Sequence, residues 1–387
     1  MSRVYITGLG VVSPVGASVQ EYWTSMLEES HSPSKGFPEL ADRIDNRYMY
    51  VYDGVMEEES TLGRTSAMSL EAAGQALRDA GAADADGARG GVAVGTTMGD
   101  EAFLEASRGV DSSRCRRTDF PFQISASIAR RFHLQGPNFT ISNACTSGLY
   151  GIDLAAGAIR RGEADMMIAG GVESASRIVL SCFNRLGALD QGKCRPFDKD
   201  RQGAVLGEGA AYVVLESAQS MRRRGHGYAY CELRGSGWSC DAYQPTAPEP
   251  GGEQIERALR ESLRLSDLSP DDIDCVLPHA TGTPLNDSVE VEVLNHVFGQ
   301  SKRLPVITAI KSKLGHSGGA AGAFSVLTAC LIFKYSRIPP TANLRTREAN
   351  FNMPMPVDGP LDRTVHNILV NAYAFGGNNI SLVLSRP

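Results

Sequence analysis

The chain has eight cysteines in 387 residues but no C-x-x-C pair. That absence argues against a zinc ribbon or a thioredoxin-type redox motif. Cys115, Cys145, Cys182, Cys194, Cys231, Cys240, Cys275 and Cys330 are instead scattered along the chain. Such a distribution suits reduced thiols and leads us to expect a cytoplasmic protein. A basic excess is also lacking: 38 Lys and Arg against 44 Asp and Glu give a net charge of −6. This argues against nucleic-acid binding, although a local basic patch can still exist on an acidic chain. No apolar run is long enough to cross a bilayer. The longest, Phe324 to Phe333, falls well short of the roughly 20 residues a spanning helix needs. Met1 to Gly8 reads as a strand without the apolar core of a signal peptide. The expectation is therefore a soluble chain with no membrane role.

What is present is a long alternation of strand and helix. Strands are expected at Val4–Thr7, Gly91–Thr96, Asn138–Ile141, Asp165–Gly171, Gly209–Leu215, Asp274–Leu277, Pro305–Ile310, Asn367–Asn371 and Ile380–Leu384. Helices are expected at Glu21–Glu28, Arg64–Ala80, Ile124–His133, Leu149–Ile159, Glu253–Leu265 and Asn286–Phe298, with a long one starting near His316. Residues 31–60 and the basic stretch Arg114 to Arg117 read as loop, and Arg222 to Arg224 as a solvated helix end. The alternation implies an α/β fold with helices covering a mostly buried sheet. Gly8-Leu9-Gly10 reads as a turn. It lacks the third glycine of a dinucleotide-binding loop, since Ser13 and Pro14 stand there.

Two helices repeat a pattern. Cys145-Thr146-Ser147-Gly148 opens one rich in Ala and Gly, and His316-Ser317-Gly318-Gly319 opens another. Small residues on both permit close approach in the interior. We read a duplication whose first half ends near residue 235, giving domains 1–235 and 236–387.

Chemistry concentrates in a few segments. Cys145 follows a strand and stands at a helix start, where free N–H groups and the helix dipole favour a thiolate. Position alone leaves a structural cysteine equally open. His279 follows the apolar run Cys275-Val276-Leu277. His316 stands at a helix start, where the dipole opposes a positive charge and favours a neutral ring. The other five of the seven histidines, including His31, read as structural. Two histidines and one cysteine on strand-end loops form a rarer pattern, because strand ends are where α/β proteins place their sites.

Together these segments resemble the elongating β-ketoacyl-acyl carrier protein synthases of fatty-acid and type II polyketide synthesis. The likeness runs from Val4-Tyr5-Ile6-Thr7-Gly8 to Asn378-Asn379-Ile380-Ser381-Leu382. It implies the thiolase fold: two similar α/β halves with buried mixed sheets around paired central helices. By position, Cys145 matches the nucleophile, His279 and His316 the two catalytic histidines, and Lys311 the active-site lysine. Glu290 matches the acidic partner expected to pair with Lys311. Thr281 and Thr283 match the threonines that contact the phosphopantetheine arm. Phe375 matches the gate whose backbone N–H joins that of Cys145 in an oxyanion hole. Lys313 reads as a surface charge, and Asp198 and Glu208 as structural hydrogen-bonders.

The implied reaction is decarboxylative condensation of an acyl group on Cys145 with malonyl-acyl carrier protein. It needs no metal and no cofactor beyond the arm on the carrier. The implied partners are an acyl carrier protein and a second subunit, identical or related. A basic docking patch would include Arg64, Arg130 and Arg131, each of which also reads as an ordinary solvated charge. The sequence departs from the family pattern at Ala280, Gly282, Ala374 and Asn378, and between Gly99 and Phe120 it looks short. These departures point to a specialised pathway, such as polyketide or polyene assembly. A non-catalytic chain-length-factor subunit would lack Cys145. A thiolase would carry a second cysteine in 365–387, where there is none. A cysteine hydrolase would not need His279, His316, Lys311 and Glu290 together.

Overall fold

The computed structural model describes every residue except 1, 29–31, 41, 45, 57–61, 84–88, 102–104 and 106–119. Cys115, His31, the stretch Arg114 to Arg117 and most of the segment expected to be short therefore lie outside the described residues. Among the described residues, ten strands form the main sheet. We number them β1 (Val4–Val12), β2 (Gly90–Gly95), β3 (Asn138–Ile141), β4 (Met166–Glu173), β5 (Gly209–Ser217), β6 (Cys231–Cys240), β7 (Cys275–Leu277), β8 (Val306–Ile307), β9 (Asn367–Ala374) and β10 (Asn378–Ser385).

The spatial order is β3-β2-β4-β5-β1 in the first half and β8-β7-β9-β10-β6 in the second. Directions repeat too. β2 runs parallel to β3 and β4, β5 is antiparallel to β4, and β1 is antiparallel to β5. In the second half, β7 runs parallel to β8 and β9, and the β9–β10 and β10–β6 pairs are antiparallel. β1 and β6 pair over Val4–Ile6 and join the halves. The internal echo in the sequence is thus a strand-by-strand repeat.

The repeat extends to how each half holds its outer helix. Gly8-Leu9-Gly10 is not a turn but the middle of β1, with a register shift between Ile6 and Gly8. A Cβ on Gly10 would lie 1.9 Å from the Ala72 carbonyl oxygen of the Arg64–Asp79 helix. Gly237 in β6 does the same job, 1.9 Å from the Ala258 oxygen of the Glu253–Leu265 helix. The glycines let a helix backbone rest directly on the strand, which no side chain would permit. Gly235 and Gly237 also hide β6 in the sequence by interrupting its apolar pattern. The Arg177–Arg185 helix was likewise not expected.

Ser147–Arg160 and Ala321–Tyr335 are the paired central helices, and every residue from Ala321 to Phe333 is buried. A helix apolar on all sides is one enclosed on all sides. The stretch Gly318–Tyr335 has the length and mean hydropathy of a membrane span, yet 83% of it is buried within the protein. Close packing depends on small residues: a Cβ on Gly148 would meet the Gly319 oxygen at 2.6 Å, and one on Gly322 the Leu149 Cβ at 2.7 Å. The second long helix starts at Ala321, after a 3-10 turn at Gly318–Ala320, and not at His316.

Two basic residues are not the surface charges they look like in sequence. Lys313 is fully buried, and its ammonium donates to the Met26 carbonyl oxygen at 2.8 Å, closing the end of the Val19–Leu27 helix. Arg224 pairs with the buried Glu216 at 2.7 Å and donates to the Ala80 and Gly81 carbonyls at 3.0 and 2.9 Å. Each satisfies carbonyls that a helix end leaves open.

Candidate active site

Cys145 lies in a 3-10 turn, Ala144–Thr146, between β3 and the Ser147–Arg160 helix. Ser147 and Thr146 lock the turn. The Ser147 hydroxyl accepts from Asn143 N at 2.8 Å and donates to the Ala144 oxygen at 2.6 Å, while Thr146 donates to the Asn143 oxygen at 2.7 Å. Ala144 holds φ of +47°, a strained value for a residue with a side chain. The turn places Sγ on the wall of a cavity of about 410 Å3. The helix start is where the sequence places it, but burial dominates its acidity. Desolvation pushes the Cys145 thiol up to about 12, with the Lys311 charge working against it.

His279 follows β7, and its ring meets that of His316 edge to face at 5.5 Å. The Nε2 of His316 lies 3.0 Å from Cys145 Sγ. Ring nitrogens of both histidines and the sulfur all fall within 4.8 Å of one another. His316 occupies a bridging segment, donating its N–H to the Val205 oxygen at 2.7 Å and accepting from Gly207 N at 3.0 Å. Its ring is held neutral, as expected, but for another reason. Burial and then the Lys311 charge lower its pKa to about 3, and the same causes, joined by His316, take His279 well below its ordinary range. Helix position is not what neutralises it.

Lys311 and Glu290 are both buried, but they do not form the direct ion pair expected of them. Glu290 accepts from the His279 and Ala280 backbone N–H groups, each at 2.7 Å. Lys311 donates to the His279 carbonyl oxygen. The two charges therefore hold the His279 backbone from both ends and act on each other through space. Burial raises Glu290 to about 7. Ala280 carries φ of +47° at the point where glycine would relax the loop.

Thr281 and Thr283 stand on the same wall, their hydroxyls 2.9 Å apart. Phe375 lies in the turn between β9 and β10, where Gly376 and Gly377 take φ of +84° and +74°. Its ring stacks on Phe183 at 5.6 Å and 23°, and Phe183 meets His316 edge-on at 6.4 Å. Phe183 carried no local sequence signal, because the amphipathic helix bearing it looks like any surface helix. Glu173 was missed too. It ends β4, is buried, and accepts from Thr97 N at 2.8 Å and Gly319 N at 2.9 Å, tying the loops behind Cys145 together. Asp198 and Glu208 are structural hydrogen-bonders, as expected. Asp198 accepts from Arg345 N at 2.7 Å, and Glu208 holds Arg64 at 2.6 Å. That pairing removes Arg64 from any docking patch, whereas Arg130 and Arg131 are exposed.

Residues 1–220 match the model of the β-ketoacyl synthase N-terminal domain, and residues 230–345 match that of its C-terminal domain. The chain is 32% identical to a 3-oxoacyl-[acyl-carrier-protein] synthase 2 of Coxiella burnetii, over 99% of this chain and 98% of that one. The chain belongs to the β-ketoacyl synthase family. It is 30% identical to the tetracenomycin polyketide synthase ketoacyl synthase alpha subunit of Streptomyces glaucescens, over 100% of this chain and 97% of that one. Among solved structures, the ishigamide ketosynthase/chain length factor superposes with a TM-score of 0.91 at 32% identity, covering 100% of this chain and 99% of that one. As a β-ketoacyl synthase the protein has the thiolase-like α/β fold. It is an acyltransferase that performs the condensing reaction of fatty-acid or type II polyketide synthesis.

Proposed function

We propose that Cys145 carries the acyl group between two half-reactions. What carries this reading is the meeting of one sulfur and two neutral imidazoles within 4.8 Å on the wall of one cavity. In the first half-reaction the Cys145 sulfur attacks an acyl thioester, giving up its proton to the departing carrier thiol by way of His316. The backbone N–H groups of Cys145 and Phe375 serve the tetrahedral oxyanion. In the second, a malonyl thioester loses CO2. The electron pair of the breaking C–C bond enters the enolate, whose oxygen accepts hydrogen bonds from His279 and His316. Two neutral N–H donors suit a charge that develops only in the transition state. The enolate carbon then bonds to the acyl carbonyl, the C–S bond breaks, and Cys145 leaves as the thiolate. Lys311 and Glu290 hold His279, and Thr281 and Thr283 contact the phosphopantetheine arm.

The partner is an acyl carrier protein, and the substrate reaches the cytoplasmic enzyme on it. Solved relatives support this: AntDE:AntF, a type II PKS acyl-carrier protein in complex with its ketosynthase, matches at 26% identity and a TM-score of 0.90. A ketosynthase of Xenorhabdus doucetiae was solved with its chain length factor, at 26% identity and a TM-score of 0.84. A second, related subunit is the arrangement we favour here, in a specialised polyketide pathway. The substitutions at Ala280, Gly282, Ala374 and Asn378 around the site support that choice.

Mass spectrometry after incubation with acyl-carrier thioester tests the reading. The expected result is an acyl adduct on Cys145 and carbon–carbon bond formation once malonyl carrier is added. Hydrolysis without condensation would overturn it, and absence of any adduct would favour the non-catalytic subunit. Activity of the chain purified alone decides between homodimer and heterodimer. Equal use of saturated medium-chain and long-chain donors would sink the specialised pathway.

A further inference from the structure

We infer that Glu173 is a positioning residue that registers Cys145 against His316: its carboxylate holds both the loop braced against the chain before Cys145 and the turn that follows His316. The inference rests on the roles proposed above for those two side chains and adds what keeps them in contact.

Glu173 ends β4 and is only 5% exposed. Its carboxylate accepts four hydrogen bonds from neutral donors. Oε2 accepts from Thr97 N at 2.8 Å and from Gly319 N at 2.9 Å. Oε1 accepts from Met98 N and from the Thr96 hydroxyl, each at 3.2 Å. A buried carboxylate is costly to desolvate and is tolerated where donors converge on it in this way. One oxygen, Oε2, thus ties the loop after β2 to the turn that leads into the Ala321–Tyr335 helix.

Each tied segment leads within a few residues to a reacting atom. On one side, Thr96 N donates to the Ile141 oxygen at 3.0 Å, and the Ser142 hydroxyl donates to the Thr97 oxygen at 3.1 Å. The loop therefore braces the chain three residues before Cys145. On the other side, Gly319 lies three residues after His316. The two glycines that follow His316 make the approach possible. A Cβ on Gly318 would stand 2.7 Å from Glu173 Oε2, and one on Gly319 would stand 2.6 Å from Thr96 Cα. Loop, carboxylate and turn are packed without slack, and His316 Nε2 reaches Cys145 Sγ at 3.0 Å. Proton transfer needs a contact of that length, and a displacement of about 1 Å costs about 100-fold in rate. Glutamine in place of Glu173 would fill the same space but offer one acceptor oxygen for two pairs of donors.

The test is single-turnover acylation of Cys145 by acyl-carrier thioester, followed by mass spectrometry. It compares the wild type, Glu173→Gln, Ser142→Ala and His316→Ala, with each of the first two variants also combined with His316→Ala. Glu173→Gln should slow acylation at saturating donor by about 10-fold to 100-fold. The donor concentration that gives half the maximal rate should stay unchanged. Ser142 is exposed, so Ser142→Ala carries the same test through a side chain whose loss the fold tolerates. It should slow acylation by about fivefold, the worth of one ordinary hydrogen bond. Neither substitution should add more than about twofold to the loss in His316→Ala, because the contact they register is already gone. A loss of equal size in both backgrounds, a change in half-saturation alone, or no loss in either variant would overturn the inference alone. No acyl adduct on the wild type would overturn the proposed reaction and this inference with it.

Discussion

Glu290 and Lys311 grip the same residue from opposite ends: Glu290 accepts the His279 N–H at 2.7 Å, and Lys311 donates to the His279 carbonyl. The ammonium so placed is also the cation that holds the Cys145 thiol down against burial. Lys311→Ala should therefore raise the Cys145 pKa and slow its alkylation by iodoacetamide at pH 8 by about tenfold. Faster alkylation would mean that packing, not charge, is what Lys311 supplies.

Removing the sulfur separates the half-reactions. Cys145→Ala should give no acyl adduct by mass spectrometry and no condensation. Malonyl decarboxylation should persist within a few-fold, because His279 and His316 both remain. Loss of decarboxylation in this variant would show that the sulfur takes part in that step.

The two imidazoles are expected to act on one oxygen. His279→Ala and His316→Ala should each slow decarboxylation by about 100-fold to 1,000-fold, the usual effect of deleting one oxyanion donor. The double variant should fall well short of the product of the two, since groups acting as a unit are not additive. Full multiplicativity in single-turnover measurements would place the donors on different atoms.

Acid should act on stability through these groups with opposite signs. His316 is neutral in the folded protein down to about 3, whereas the unfolded chain protonates it near 6.5. Its contribution is present above 6.5 and is lost as pH falls toward 3. Glu290, raised to about 7 from 4.5, does the reverse: its contribution is present below 4.5 and is lost as pH rises through 7. Of these two groups, only His316 still changes its contribution below 4.5. The stability of the wild type relative to His316→Asn, read as a Tm difference, should therefore shrink as pH falls. A pH-independent difference would mean an ordinary imidazole at His316.

The repeated glycine device can be tested in both halves. Gly10→Ala and Gly237→Ala each put a Cβ 1.9 Å from a helix carbonyl oxygen, whereas Gly192 has no atom within 4 Å of its added Cβ. The first two should destabilise by about 3 kcal/mol or more, at or beyond the top of the usual overpacking range. Gly192→Ala should stay within about 0.5 kcal/mol. Urea denaturation gives the comparison, and a mild effect at Gly237 would break the equivalence of the halves.

Much of the architecture could be read locally. The Glu253–Leu265 helix and the β3 strand fall where their patterns place them, because an amphipathic or apolar run carries its own period. β6 and the middle of β1 could not be read so. Their glycines look like breakers in sequence, and only the helix backbone lying across them explains their presence. Lys313 illustrates the same limit, since a lysine reads as a surface charge until the end of another helix is brought to it.

The sequence by itself determined the kind of chemistry: one cysteine at a strand-to-helix junction, and histidines, a lysine and a glutamate at spacings that resemble a condensing enzyme. Those are properties of residue type and order. The tertiary structure decided how these groups are tuned. Burial, not the helix start, sets the protonation of Cys145 and His316. Lys311 and Glu290 meet through the His279 backbone and not as an ion pair. Phe183 and Tyr373 join the site from strands and helices distant in the chain. Desolvation and packing depend on what the rest of the molecule places around a group, and no stretch of sequence carries that information alone.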